Sequence, residues 1–449
     1  MHPIRTVISW KYPPFRVPHL GLCLLLAVLP GCRRAENPGK PSAAAFYESG
    51  IETPADLPAD GIFPNGRKLA FMGYSGDPAR DLANGFTVAG PVYGDQTPYL
   101  EKCFANGWPV VAHIGPKITF KDGDPNKYKP DPPALREEVK RQVAALAARR
   151  QIIWWAIHPE ELRPWRKDEM LYLETVSAAI READPLDRPV YLYNPNNRDA
   201  GSLTPIAKLV DVVGKGCYVN LSGKKRDRAW VRWSIEQERG AIAAAGSRKG
   251  SVALLLPELC KDPEPGEERE IRAWVRHDIY LGMASGAQGV NIWSLFKRAE
   301  VRKTWQLWYD AYTECAKELN GDRALAQVFL FGKPSKDFKV APVSGADPGS
   351  AIRLGGAMEP ETSSAAESKE RTVATPSWTA VEIAYQNSRY VFVINSANGP
   401  AAFDLTGWPP GSSAVSAFDG KPQTLPPQGA LRIDLPPYGV AALRFAADN

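Results

Sequence analysis

Between about residues 61 and 325, short apolar runs alternate with amphipathic stretches of helical period, the pattern of repeated βα units. The apolar runs lie at 68–74, 86–93, 108–114, 151–158, 189–194, 210–218, 251–257 and 286–293. They are rich in Val, Ile, Leu and aromatics without clean polar alternation, as parallel strands covered on both faces by helices should be. In 133–149, Leu135, Val139, Val143 and Leu146 fall on one helical face, with Arg136, Glu137, Glu138, Lys140 and Arg141 on the other. Leu173, Val176 and Ile180 repeat the pattern in 169–183, which stops at Ala183-Asp184-Pro185. Stretches 267–283 and 303–319 supply two more helices, and Trp305, Trp308, Tyr309 and Tyr312 of the second are expected to pack against the strands. The predicted fold class is α/β, a (β/α)8 TIM barrel spanning 61–325.

Beyond about residue 325 the period changes from helical to two. Alternating stretches at 378–385, 389–395, 430–435 and 440–445 are separated by hairpin signals and by a low-complexity loop at 359–368. They predict a small antiparallel β-sandwich over 326–449.

The chain opens differently. Arg5, Lys11 and Arg16 precede an apolar run at 20–29 that is too short to span a membrane, which reads as a secretory signal over 1–31. A polar segment at 32–60 follows as a tether. Of the formal charge of +5, three basic residues belong to the leader, so the chain from Cys32 onward is nearly balanced and no nucleic-acid partner is expected. The cluster Lys224-Lys225-Arg226-Asp227-Arg228 reads as a solvated loop entering a helix. Cys103, Cys217, Cys260 and Cys315 form no CxxC pair, so zinc or redox chemistry is not indicated, and buried thiols or a disulfide both remain open.

Two glutamates carry the candidate chemistry. Glu160 follows the run Ile152-Ile153-Trp154-Trp155-Ala156-Ile157-His158-Pro159, and Glu258 follows Val252-Ala253-Leu254-Leu255-Leu256-Pro257. As ends of the fourth and seventh strands of a closed barrel they would face each other across its C-terminal mouth, where such barrels place their chemistry. Cleavage of a glycosidic bond needs two carboxyl groups flanking it, one protonated and one ionised. Glu161 rivals Glu160 as the acid. Burial beside Trp154, Trp155 and Trp165 would raise a carboxyl pKa, whereas Arg163 beside it would lower it, and each glutamate could instead serve as a cap or ion-pair partner. Other strand ends offer Tyr74, Asp77, Tyr93, Asp95, His113, Lys117, Asn194, Asn196, Arg198, Lys297 and Arg298, with Trp155 and His158 beside Glu160, as aromatic and hydrogen-bonding contacts for a sugar. His113 and His158 lack a matched carboxylate motif, so no metal is expected, nor any organic cofactor. No GxSxG elbow or Walker-type loop appears.

Three resemblances add to this reading. Leu29-Pro30-Gly31-Cys32 resembles a bacterial lipobox, which implies lipidation at Cys32, anchoring to the cell envelope by lipid alone, and, with Arg33 after the cysteine, the outer membrane in a Gram-negative source; plain secretion is the alternative. The barrel resembles a clan A glycoside hydrolase, which implies Glu160 as acid/base, Glu258 as nucleophile, Tyr218 bonded to that nucleophile from the sixth strand and Trp293 flooring the subsite from the eighth. It departs from that pattern where Pro159, rather than asparagine, precedes Glu160, and Trp155-Ala156-Ile157-His158-Pro159-Glu160-Glu161 is also similar to a turn in glycosidases of unassigned specificity. The stretch Leu435-Pro436-Pro437-Tyr438-Gly439-Val440 resembles the accessory sandwich that closes many bacterial glycosidase chains. Together these imply a carbohydrate substrate and a two-glutamate glycosidase, retaining if the two carboxyl groups lie about 5–5.5 Å apart and inverting if about 6.5–9.5 Å. The competing reading is a catalytically inactive surface lipoprotein that binds glycans or serves as a scaffold.

Overall fold

The computed structural model describes residues 65–66, 68–223, 227–246, 251–355, 363–409, 411–427 and 429–446. The leader, Cys32, the tether and Lys224-Lys225-Arg226 lie outside the described residues. Seven parallel strands form one sheet: β1 (Ala70–Gly73), β2 (Val110–Ile114), β3 (Ile152–Ile157), β4 (Val190–Asn194), β5 (Val212–Cys217), β6 (Val252–Pro257) and β7 (Gly289–Ile292), in the order β1-β7-β6-β5-β4-β3-β2. Residues 87–89 close the ring between β1 and β2. Thr87 N donates to Phe71 O (3.0 Å), Ala89 N to Pro109 O (2.8 Å) and Val111 N to Ala89 O (3.1 Å).

The run at 86–93, predicted as a full strand, is therefore reduced to a parallel bridge between Ala89 and Val110. The cause is local: Gly90 turns the chain at φ 76°, and Pro91 has no N–H to continue a ladder. Counting this segment as the second ring position, β1 is the first and β2 to β7 are the third to eighth.

Each ring segment leads into a helix: α1 (Pro78–Ala83), α2 (Thr97–Ala105), α3 (Pro132–Leu146), α4 (Lys167–Ala183), α5 (Ala200–Ala207), α6 (Trp230–Ala245), α7 (Ile271–Ala284) and α8 (Trp305–Asn320). The caps follow the sequence. Asp77, Asp131 and Asp199 each accept an amide from their helix's first turn, and α4 ends at Ala183 before Pro185. Leu135, Val139 and Val143 of α3 and Leu173, Val176 and Ile180 of α4 are buried against the ring, as are Trp305, Trp308, Tyr309 and Tyr312 of α8.

After the short α9 (Leu325–Phe331) the chain becomes antiparallel: β8 (Lys333–Ser335), β9 (Lys339–Ser344), β10 (Ala351–Leu354), β11 (Arg371–Ala374), β12 (Trp378–Tyr385), β13 (Ser388–Asn395), β14 (Ala401–Thr406), β15 (Ala414–Ser416), β16 (Pro422–Gln423), β17 (Leu431–Leu435) and β18 (Val440–Ala446). A six-stranded sheet, β16-β15-β18-β13-β12-β8, faces a three-stranded one, β17-β14-β9. In β13, Val391 and Val393 point into the sandwich, whereas Tyr390, Phe392 and Ile394 join the cluster of α7, α8 and α9. Period-two alternation with both faces apolar thus welds sandwich to barrel. The hairpin β10–β11 carries a four-residue helix, α10 (Ala365–Ser368), closed by a Ser364–Glu367 capping box.

Candidate active site

The C-terminal ends of the ring segments bring together most of the residues that the sequence singles out. Tyr74 follows β1, Tyr93 the second ring segment, His113 lies in β2, His158 and Glu160 follow β3, Tyr218 follows β5, Glu258 follows β6 and Trp293 follows β7. Tyr74 is stacked on Tyr93 with ring centroids 5.0 Å apart, and His113 lies 6.5 Å from Tyr74, 6.4 Å from Tyr93 and 5.9 Å from His158. Tyr218 and Trp293 are 5.4 Å apart.

Glu160 is the centre of this cluster. Tyr74 Oη donates to its Oε2 at 3.0 Å, and Tyr93 is also hydrogen-bonded to it. Trp293 Nε1 donates to Tyr93 Oη at 2.8 Å, so the tryptophan of the eighth strand is tied to the glutamate of the fourth through one phenol. Behind them Tyr74 Oη shares a hydrogen bond of 3.0 Å with Tyr191 Oη, which accepts from Asn291 Nδ2 at 3.3 Å. Burial raises the Glu160 carboxyl to about 7, and the two phenols only partly offset it. Arg163 does not enter the contest. It is turned to Glu169, bonding it at 2.7 Å, and to the carbonyl of Phe120 at 2.9 Å. Glu161 has φ 62°, its amide donates to Tyr193 O at 3.2 Å, and its charge acts on Arg198, so its backbone is spent on the turn.

Glu258, three ring positions on from Glu160, is only 3% exposed. Its carboxylate oxygens accept the backbone amides of Asn220 and of Leu221 (the latter at 2.8 Å), and its own carbonyl accepts from Tyr312 Oη at 2.7 Å. Burial lifts the carboxyl to about 7 against the pull of these amides and of Arg228. The Tyr218 hydroxyl, expected from the resemblance to bond the nucleophile, donates to Tyr193 Oη at 2.9 Å.

Burial, with His158 beside it, lowers the His113 imidazole to about 4, and burial and Lys117 lower His158, so both rings are neutral at pH 7 and offer hydrogen bonds rather than charge. Gln96 brackets the His113 peptide, accepting from its N at 2.8 Å and donating to its O at 2.7 Å. Trp293 is half-buried, with the Arg298 guanidinium 4.4 Å over its ring. Among the described residues no group of three or more His, Cys, Asp or Glu is arranged to hold a metal ion, and Cys103, Cys217, Cys260 and Cys315 are buried free thiols.

Several expected contacts lie elsewhere. Trp155 faces outward from β3, its Nε1 bonded to Asp184 at 2.8 Å and its ring 5.1 Å below Arg188; strand alternation places its neighbour Trp154 in the ring interior instead. Asn194 is fully buried, its amide donating to Leu192 O and Gly214 O, each at 3.1 Å, and so pins β4 to β5. Asn196 is buried as well, and Arg198 is sealed in an ion pair with Glu367 at 3.0 Å. Asp77 and Asp95 bond the backbone amides of Arg80 and Thr97 at helix starts. Conversely, Tyr191, Tyr193 and Asn291 were not singled out. Their signal was hydroxyls and an amide at alternate positions of buried strands, Val190-Tyr191-Leu192-Tyr193 and Val290-Asn291-Ile292.

No family model and no curated protein matches the chain. Among solved structures it is similar in backbone course to an α-amylase from Geobacillus thermoleovorans complexed with acarbose, at 9% identity and a TM-score of 0.49 over 85% of this chain and 99% of that one. A GH30 endoxylanase from Clostridium papyrosolvens gives 11% identity and a TM-score of 0.45 over 85% and 97%. A β-glucuronidase from an uncultured Clostridium gives 14% and 0.41 over 57% and 51%. None of these likenesses carries a residue assignment to this chain.

Proposed function

We propose that this chain is a glycoside hydrolase acting on an oligo- or polysaccharide by a two-glutamate, retaining mechanism, exported and held to the cell envelope by lipid at Cys32. Glu160, protonated, gives its proton to the leaving oxygen while Glu258, ionised, attacks the anomeric carbon. A water deprotonated by Glu160 then cleaves the glycosyl ester and restores both groups. The observation that carries the proposal is Glu160 itself: a carboxyl at the ring mouth, raised to about 7 by burial and hydrogen-bonded by Tyr74 and Tyr93, whose rings have neutral His113 beside them. That is the environment a general acid requires near neutrality.

The test is a panel of chromogenic glycosides and plant or microbial polysaccharides, followed by Glu160→Gln and Glu258→Gln on the best substrate. Each substitution is expected to lower kcat/KM by on the order of a thousandfold with the fold intact. Full activity in both variants overturns the assignment.

A second reading has one observation in its favour. Both Glu258 oxygens are engaged by the turn after β5, as in a cap, which suits a glycan-binding platform. A protein that binds a glycan from the panel, measured by calorimetry, and turns none over would be that platform.

A further inference from the structure

A continuous file of hydrogen-bonded side chains runs from the sandwich to Glu258. Ser396, just after β13, has its Oγ 2.8 Å from His277 Nε2, and His277 Nδ1 lies 2.8 Å from Asp278 Oδ1. Asp278 receives Arg228 in a two-pronged pair, Nε to Oδ1 at 3.0 Å and Nη2 to Oδ2. Arg228 Nη1 donates to Asn220 Oδ1 at 2.8 Å, and the Asn220 amide is one of the two that hold Glu258. Every member from Ser396 to Arg228 is at most 5% exposed. Tyr438, from the proline-rich turn before β18, closes over the middle of the file, 5.8 Å from His277 and 5.7 Å from the Arg228 guanidinium.

Serine, histidine and aspartate in hydrogen-bonded sequence resemble a nucleophilic triad, but all three are sealed between α7 and the sandwich, where no substrate reaches. Their burial suits a different task. A guanidinium with no exposure needs a fixed counter-charge; Asp278 supplies it, and His277 Nδ1, meeting the same Oδ1 that accepts Arg228 Nε, helps to hold that carboxylate in place. Arg228, so fixed, presents Nη1 to the Asn220 side chain and thereby orients the peptide that meets the Glu258 carboxylate. The charged and titratable groups around that carboxylate are Arg228 from the start of α6, Asp278 of α7, Tyr312 of α8, Cys217 of β5 and Cys260 in its own loop.

Resting on the reading of Glu258 as a working carboxylate, we infer that the sandwich positions it at a distance through Ser396, His277, Asp278, Arg228 and Asn220. The C-terminal part then belongs to the active site's support. Ser396 and His277 are positioning residues, since neither touches the mouth.

The experiment uses the full chain with Ser396→Ala, and Ser396→Cys as a near-isosteric variant that serves in its place where alanine does not fold. Two readouts are taken: the pH profile of kcat on the best glycoside, and the titration of Glu258 followed by carboxyl carbon NMR of glutamate-labelled protein, assigned by the resonance lost in Glu258→Gln. Loosening the file weakens the amide bond that favours the ionised form, so the Glu258 titration and the acidic limb of kcat move to higher pH. Turnover falls by on the order of tenfold at little change in KM. A wild-type titration and kcat in Ser396→Ala, even with a lower melting temperature, would overturn the inference. A shifted titration in a protein that cleaves no glycoside would uphold the file and sink the sugar-cleaving proposal.

Discussion

At the scale of single residues, the two candidate carboxyls differ less in acidity than in what holds them. Glu160 has side-chain hydroxyls for neighbours and Glu258 has main-chain amides; both reach about 7 because burial exceeds those partners. For Glu160 the consequence for stability has a definite sign. Its native pKa lies above its ordinary value of 4.5, so stability is greatest below about 4.5 and is lost as pH rises through 7. Glu160→Gln removes that loss. Relative to wild type, the variant is expected to gain about 1–2 kcal/mol between pH 4.5 and pH 8, a figure reduced for the partial exposure of the group. Denaturant melts at the two pH values measure it, and an equal difference at both would show that Glu160 is not strained by ionisation. Sequence spacing alone put Glu160 beside three tryptophans and an arginine. The one-residue alternation of β3, which sends Trp155 outward, and the competing carboxylate of Glu169, which takes Arg163, decide otherwise.

At the scale of elements, the ring strands are legible because each is a short apolar run with a helix after it. The exception is the second, where Gly90 and Pro91 cut a plausible run to three residues. Long-range pairing was not legible. The low-complexity stretch at 359–368 offers no apolar face, yet its described part contains α10, whose Glu367 is buried against Arg198 beyond the end of β4. Two more contacts fix the same hairpin: Asn197 Nδ2 to Ser363 Oγ at 3.3 Å and Arg371 to Asp199 at 3.4 Å. A buried pair of this kind is costly to break from one side. Glu367→Ala, which strands the Arg198 charge, is expected to cost about 3–5 kcal/mol, whereas replacing both partners by methionine should cost far less. Urea titrations of the single and double variants separate the two. A harmless Glu367→Ala would mean that the hairpin is not docked there.

At the scale of the whole molecule, barrel and sandwich do not divide at the change of sequence period near residue 325. The change marks a switch of secondary structure, whereas the core runs through it: Tyr390, Phe392, Ile394, Tyr438 and Ala442 of the sandwich share one cluster with Tyr280, Trp308 and Val328 of the barrel side. Phe392 is fully buried, with its ring 4.4 Å from Phe329 and 6.3 Å from Tyr280. A shared core of this kind couples the melting of the two parts, since neither can open without exposing the other's apolar face. The intact chain should therefore show one calorimetric transition. Phe392→Ala, at a cost of about 3–5 kcal/mol, should move that single peak down as a unit. An earlier, separate peak in the variant, leaving a barrel transition at its original temperature, would show that the sandwich unfolds alone; it would also remove the physical basis for its hold on Glu258, because a part that melts independently cannot fix Arg228 from behind.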